Sequence, residues 1–136
     1  MLLIASAVGL ASPRPSASCL TAERATHGTI FCSTKNVSFV LAGRTTGGKY
    51  SIYDYRYRFL PHPGGVMHGG QRLIVFHHGK YLGQYSLSPP PYVHVRVVGT
   101  QVVLHVSASR ETVRLNFSNE PPRELYINGE TEGFGH

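Results

Sequence analysis

Apolar and polar residues alternate with a period of two through most of this chain. The alternation is clearest over residues 92–106, YVHVRVV-GT-QVVLHV. One face carries Val93, Val95, Val97, Val102, Leu104 and Val106. The other carries Tyr92, His94, Arg96, Gln101 and His105. Successive strand side chains point to opposite faces, so the pattern predicts a half-buried hairpin. A two-residue Gly99-Thr100 loop starts with Gly, as a type II′ turn demands. That loop pairs Val98 with Gln101, and therefore His94 with His105.

Shorter alternating runs fill most of the rest. Strands are expected at 29–33, 37–42, 49–60, 72–76, 80–87, 112–117 and 124–127, with turns at STKN, RTTGG, HHG and Asn128-Gly129. PHPGGVMHGG (61–70) has no period and reads as a long Gly/His loop. SPPP (88–91) reads as a stiff extended linker. No helix of any length is expected, and the tail after Asn128-Gly129 either pairs back or frays. The fold class that follows is all-β: a small antiparallel sandwich or barrel of about eight strands.

YDYRYRF (53–59) poses the sharpest question. Tyr53, Tyr55, Tyr57 and Phe59 occupy one face, and Asp54, Arg56 and Arg58 the other. A three-residue loop of Thr45, Thr46 and Gly47 would set Phe39 opposite Tyr53 and Val37 opposite Tyr55. The aromatic face then shares a side with Val37, Phe39 and Leu41, which makes it the core face. The charges are expected to face solvent or a partner.

The first eighteen residues change the picture of where the protein lives. Leu2 to Ala11 is an apolar run of ten residues, too short to span a bilayer. Ser16-Ala17-Ser18 supplies small residues for cleavage before Cys19, although no Lys or Arg precedes the apolar run. The expected organisation is a signal peptide over 1–18 and a single all-β domain over 19–136, periplasmic or secreted. The mature form then has no transmembrane segment. Cys19 and Cys32 are the only cysteines, and in an exported chain they predict a disulfide. The alternative use of Cys19 is as the acylated first residue of a lipoprotein.

Thirteen Lys+Arg face seven Asp+Glu, a net of +6, and removal of Arg14 with the leader leaves +5. Such a chain is drawn to anionic partners. Outside the cytoplasm these are envelope polymers, head groups or acidic proteins rather than nucleic acid. The aromatic–basic alternation of YDYRYRF also separates on two faces what a nucleic-acid platform needs on one. Arg56, Arg58 and Arg96 are the expected ligand cations, with His62 and His68 of the Gly/His loop adding adaptable contacts.

Catalytic signals are absent from the sequence. Asp54 is the only Asp, and the six Glu sit mostly in turns, so no pair of acids faces across a cleft. Neither G-x-S-x-G nor H-E-x-x-H occurs. Asn36-Val37-Ser38 and Asn116-Phe117-Ser118 match the short glycosylation pattern. His94 and His105, opposed at about 5 Å between Cβ atoms, are the candidate metal pair. A third ligand is missing from their face, and Arg96 beside them would repel a cation. The expected function is a non-catalytic binding module, without cofactor, for an anionic envelope polymer or protein. The alternatives are a metal-binding protein using the histidine pair and an exported inhibitor of an envelope-directed enzyme. Sheet edges offer a route to homo-oligomers.

Overall fold

The computed structural model describes residues 15–33, 35–87 and 92–136. Its regular elements are one helix, α1 (Ala17–Ala25), and nine strands: β1 (Val37–Arg44), β2 (Tyr50–Phe59), β3 (His68–His77), β4 (Lys80–Leu87), β5 (His94–Val98), β6 (Gln101–Val106), β7 (Glu111–Asn116), β8 (Glu124–Ile127) and β9 (Glu130–Gly133). They form three antiparallel sheets, ordered β1-β2-β3-β4, β5-β6-β7 and β8-β9. The all-β expectation holds.

The four-stranded sheet is buried on both faces. One face presents Tyr50, Ile52, Leu73, Val75, Tyr85 and Leu87 to Val93, Val95, Val102, Leu104, Leu115 and Phe117 of the β5–β7 side, with Leu125 and Ile127 of β8 completing the cluster. The other face, the aromatic one, packs Tyr55, Ile74 and Phe76 against Cys19, Ala22, Ile30 and Cys32. Tyr53, Tyr55 and Tyr57 therefore lie on a core face, as expected, but Phe59 at the end of the stripe is exposed, and the opposite face is core too. Ile52, Asp54 and Arg56 share that second face. The Asp54 side chain is only 16% exposed and that of Arg56 34%, so neither simply faces solvent.

Register follows the turns. His94 lies opposite His105 and Val98 opposite Gln101, with Gly99 at φ +62 as the predicted turn requires. In the β1–β2 pair, Val37 meets Tyr57, Phe39 meets Tyr55 and Leu41 meets Tyr53. That is two residues away from the expected alignment and leaves every side chain on its expected face. The shift arises from a bulge between Leu41 and Gly43 and from a longer turn with a 3₁₀ stretch, Thr46–Gly48. Gly43 is needed there. A Cβ would come within 2.9 Å of Val97 Cβ, where β1 passes β5.

Three stretches differ from the sequence pattern. Residues 68–70, expected as part of the Gly/His loop, begin β3, where they pair with the end of β2. Residues 17–25 are helical: Ser16 Oγ caps the helix by accepting from Cys19 N–H at 3.1 Å. The helix closes with His27 at φ +53 and the Gly28 N–H on Glu23 O at 2.9 Å. Residues 29–33 form no strand. Tyr55 Oη serves this segment in place of a neighbouring strand, accepting from Phe31 N–H and donating to Phe31 O, both at 3.1 Å. Cys19 and Cys32 are disulfide-bonded, as expected, which ties the two segments together. The sulfur of Cys19 is thereby not available for acylation. Of the expected leader, residues 1–14 lie outside the described residues. Ser16 and Ser18 belong to the start of α1, and Ser18 Oγ lies 3.0 Å from Tyr53 Oη. Among the described residues, no helix is long and apolar enough to cross a membrane.

The tail pairs back. Asn128 and Gly129, at φ +54 and +77, turn β8 into β9. Gly135 then exchanges two backbone hydrogen bonds with Gln84, at 2.8 and 2.9 Å. Expected linker residues 88–91 lie outside the described residues.

Candidate functional site

Arg56 is the centre of a polar knot between the sheets. Its Nε and Nη2 donate to the Asp54 carboxylate at 3.0–3.3 Å, and Nη2 also reaches Val93 O at 3.3 Å. Its guanidinium stacks over the Tyr92 ring, 4.8 Å from the centroid. Gln71, buried, completes the knot. Its amide donates to Asp54 Oδ1 at 2.9 Å and to Val93 O at 2.8 Å, and its carbonyl accepts from Val93 N–H at 2.8 Å. Gln71 thus pairs with the Val93 backbone as a neighbouring strand would. The chain at 92–93 is fixed above the end of β2, and Tyr92 is held in place.

Beside this knot lies an open concavity of about 300 Å³. It is lined by Lys35, Asn36, Val37 and Ser38 from the start of β1, by Arg56, Tyr57 and Arg58 from the end of β2, and by Tyr92. The strand pairing explains the grouping. Ser38 lies opposite Arg56, and Arg58 N–H donates to Asn36 O at 3.1 Å. Three cations therefore meet at one corner of the sheet with two phenols, one hydroxyl and one amide. Among the described residues, Asp54 makes the only ion pair with Arg56. Lys35 and Arg58 are exposed and carry no such carboxylate. Among the described residues, the lining holds no acid or histidine, and its three cations are donors of the kind that pair with anions.

The expected ligand residues divide among three places. Arg56 and Arg58 meet at this corner. His62 lies in the turn of the β2–β3 hairpin and His68 one register position beyond the partner of Arg58, both outside the concavity's lining, and His68 stacks on Phe59 with centroids 5.5 Å apart. Arg96 is on β5 opposite Val103, on the same outer face as His94, His105 and Arg114, and does not line the concavity. His94 and His105 are cross-strand partners, and His105 Nδ1 is 3.2 Å from Thr112 Oγ1. Among the described residues, no third His, Cys, Asp or Glu joins them to form a metal-binding group.

Lys35, Asn36, Ser38, Tyr57, Tyr92 and Gln71 are residues of this region that the sequence pattern did not assign to a ligand. Gln71 had a signal: it is polar at a position in phase with Leu73 and Val75 on the core face. Lys35 and Tyr92 had none, because each belongs to the concavity only through the way the strands are brought together.

A second hollow, of about 500 Å³, is lined by Tyr50, His77, Leu82, Glu120, Pro121, Arg123 and Phe134. His77 there is pushed below the usual histidine range by desolvation, with smaller contributions from His78 and Lys49. No known protein family, curated protein or solved structure matches the chain.

Proposed function

We propose that this protein is an exported, non-catalytic binding module for an anionic ligand of the cell envelope, held in the Lys35–Arg56–Arg58–Tyr92 corner. The supporting observation is the convergence of three cations on one concavity, two of them without a carboxylate partner among the described residues. The Cys19–Cys32 disulfide fits an oxidising compartment. Arg56, oriented by Asp54 and Val93, is a preset donor, while Arg58 and Lys35 supply adaptable charge. Tyr57, Tyr92, Asn36 and Ser38 offer hydrogen bonds to the neutral hydroxyls that flank phosphate, sulfate or carboxylate groups on a polymer.

Because the cations are exposed, binding must weaken with salt, the screening length being about 8–10 Å near physiological ionic strength. Retention of the protein on an immobilised glycerol phosphate oligomer is the test. Replacing both Lys35 and Arg58 with Ala is expected to weaken binding about tenfold, two exposed charge contacts being worth about 0.5–1 kcal/mol each. Arg96→Ala, on the other face, is expected to change it little. Retention that ignores salt and the double substitution would refute the proposal.

A further inference from the structure

The hairpin that rises from this corner ends in an apolar apex. Phe59, Leu60, Val66 and Met67 are 46%, 48%, 76% and 48% exposed. These four are among only nine large apolar side chains that the described residues leave exposed, and they fall within one nine-residue stretch. The apex is a built turn. Gly65 N–H donates to His62 O at 3.0 Å, with Pro63 and Gly64 between them and Gly64 at φ +78. Proline followed by a positive-φ glycine is the type II arrangement. The His62 ring lies close over Gly65, where a Cβ would come within 2.8 Å of it. At the base, Phe59 stacks between Tyr57 and His68, at 6.4 and 5.5 Å. The apolar side chains are thus presented at the hairpin apex rather than collapsed onto the core.

Directly beneath them is the basic corner, with Arg58 adjoining Phe59 in the chain. Acidic residues are missing from the whole stretch between Asp54 and Glu111. An apolar tip over a cationic and tyrosine-bearing collar has the layering of a bilayer interface. Hydrocarbon takes the tip, anionic head groups meet Lys and Arg, and amphipathic rings sit at head-group depth.

We infer that the hairpin apex at residues 59–67 inserts into an anionic lipid surface, and that the anion of the corner is a lipid head-group phosphate. This rests on reading the corner as an anion site, and the experiment separates the two. The chain contains no tryptophan, so Met67→Trp provides a single reporter at the tip. Vesicles of phosphatidylcholine alone, and of equal parts phosphatidylcholine and phosphatidylglycerol, are the surfaces. Soluble glycerol phosphate oligomer is the control for the corner.

The reporter's emission is expected to shift to the blue with the mixed vesicles. Binding to pure phosphatidylcholine is expected to be about tenfold weaker. Replacing Leu60, Val66 and Met67 together with Ser should abolish vesicle binding and leave oligomer binding intact, whereas Lys35→Ala with Arg58→Ala should weaken both. Unchanged emission with oligomer binding retained would overturn insertion and spare the corner. Vesicle insertion without oligomer binding would overturn the corner and the head-group assignment together. Equal binding to both vesicle types would overturn the head-group assignment. A concentration-dependent dimer that the triple Ser variant loses, with no vesicle binding, would assign the apex to a second copy instead.

Discussion

Gln71 joins two sheets through one side chain, and its position tests the packing at single-residue resolution. Replacing it with Leu keeps the volume and removes every bond to Val93. The Val93 N–H is then left buried without its partner, while Arg56 still reaches the carbonyl. The expected cost is about 2–3 kcal/mol, read from denaturant unfolding midpoints. The tyrosines supply a second residue-scale test. Desolvation holds Tyr55, Tyr81 and Tyr85 above the ordinary phenol value of 10.0, with hydrogen bonds opposing it at Tyr55 and Tyr81. A folded-state value that is raised means the unfolded chain releases these protons first. Their contribution to stability is therefore complete below about pH 10 and is lost as pH rises past it. Phenolate absorbance of these residues should lag behind that of free tyrosine, and unfolding temperatures should fall in the same alkaline range. The faces of YDYRYRF were legible from alternation alone. The partners of Asp54 and Arg56 were not, because alternation states that two faces differ and says nothing about what covers each.

Hairpins with dedicated turn residues could be read directly at the scale of elements. Gly99-Thr100 and Asn128-Gly129 fix both turn and register locally. The β1–β2 alignment needed knowledge of a bulge whose cause, the close pass of Gly43 beside Val97, is tertiary. Helix α1 was hidden for a related reason. It buries only Cys19 and Ala22, too little apolar surface for a helical period to stand out. Residues 29–33 alternate like a strand because Ile30 and Cys32 are buried, yet their backbone is served by Tyr55 rather than by a ladder. The disulfide closes a loop between residues 13 apart in sequence. Replacing both cysteines with Ala should cost about 3 kcal/mol by loop entropy. Because so little apolar area holds α1, helical circular dichroism and hydrogen-exchange protection over 17–25 should fall before the sheets unfold. Concerted loss of all elements would count against that account of the helix.

Across the molecule, the expected ligand cations among the described residues fall on separate surfaces. The corner of Lys35, Arg56 and Arg58 lies where the first strands meet Tyr92, while Arg96 and Arg114 flank Val103 on the outer face of β5–β7. Composition gave the sign of the chain's own charge, and only the strand order shows which of its cations lie together. The most direct test is an amide chemical-shift titration of the whole chain with soluble glycerol phosphate oligomer. Shifts centred on Lys35–Ser38, Arg56–Arg58 and Tyr92, shrinking as salt is raised, are the predicted result. Shifts centred instead on His94, Arg96, His105 and Arg114, or no shifts at all, would contradict it.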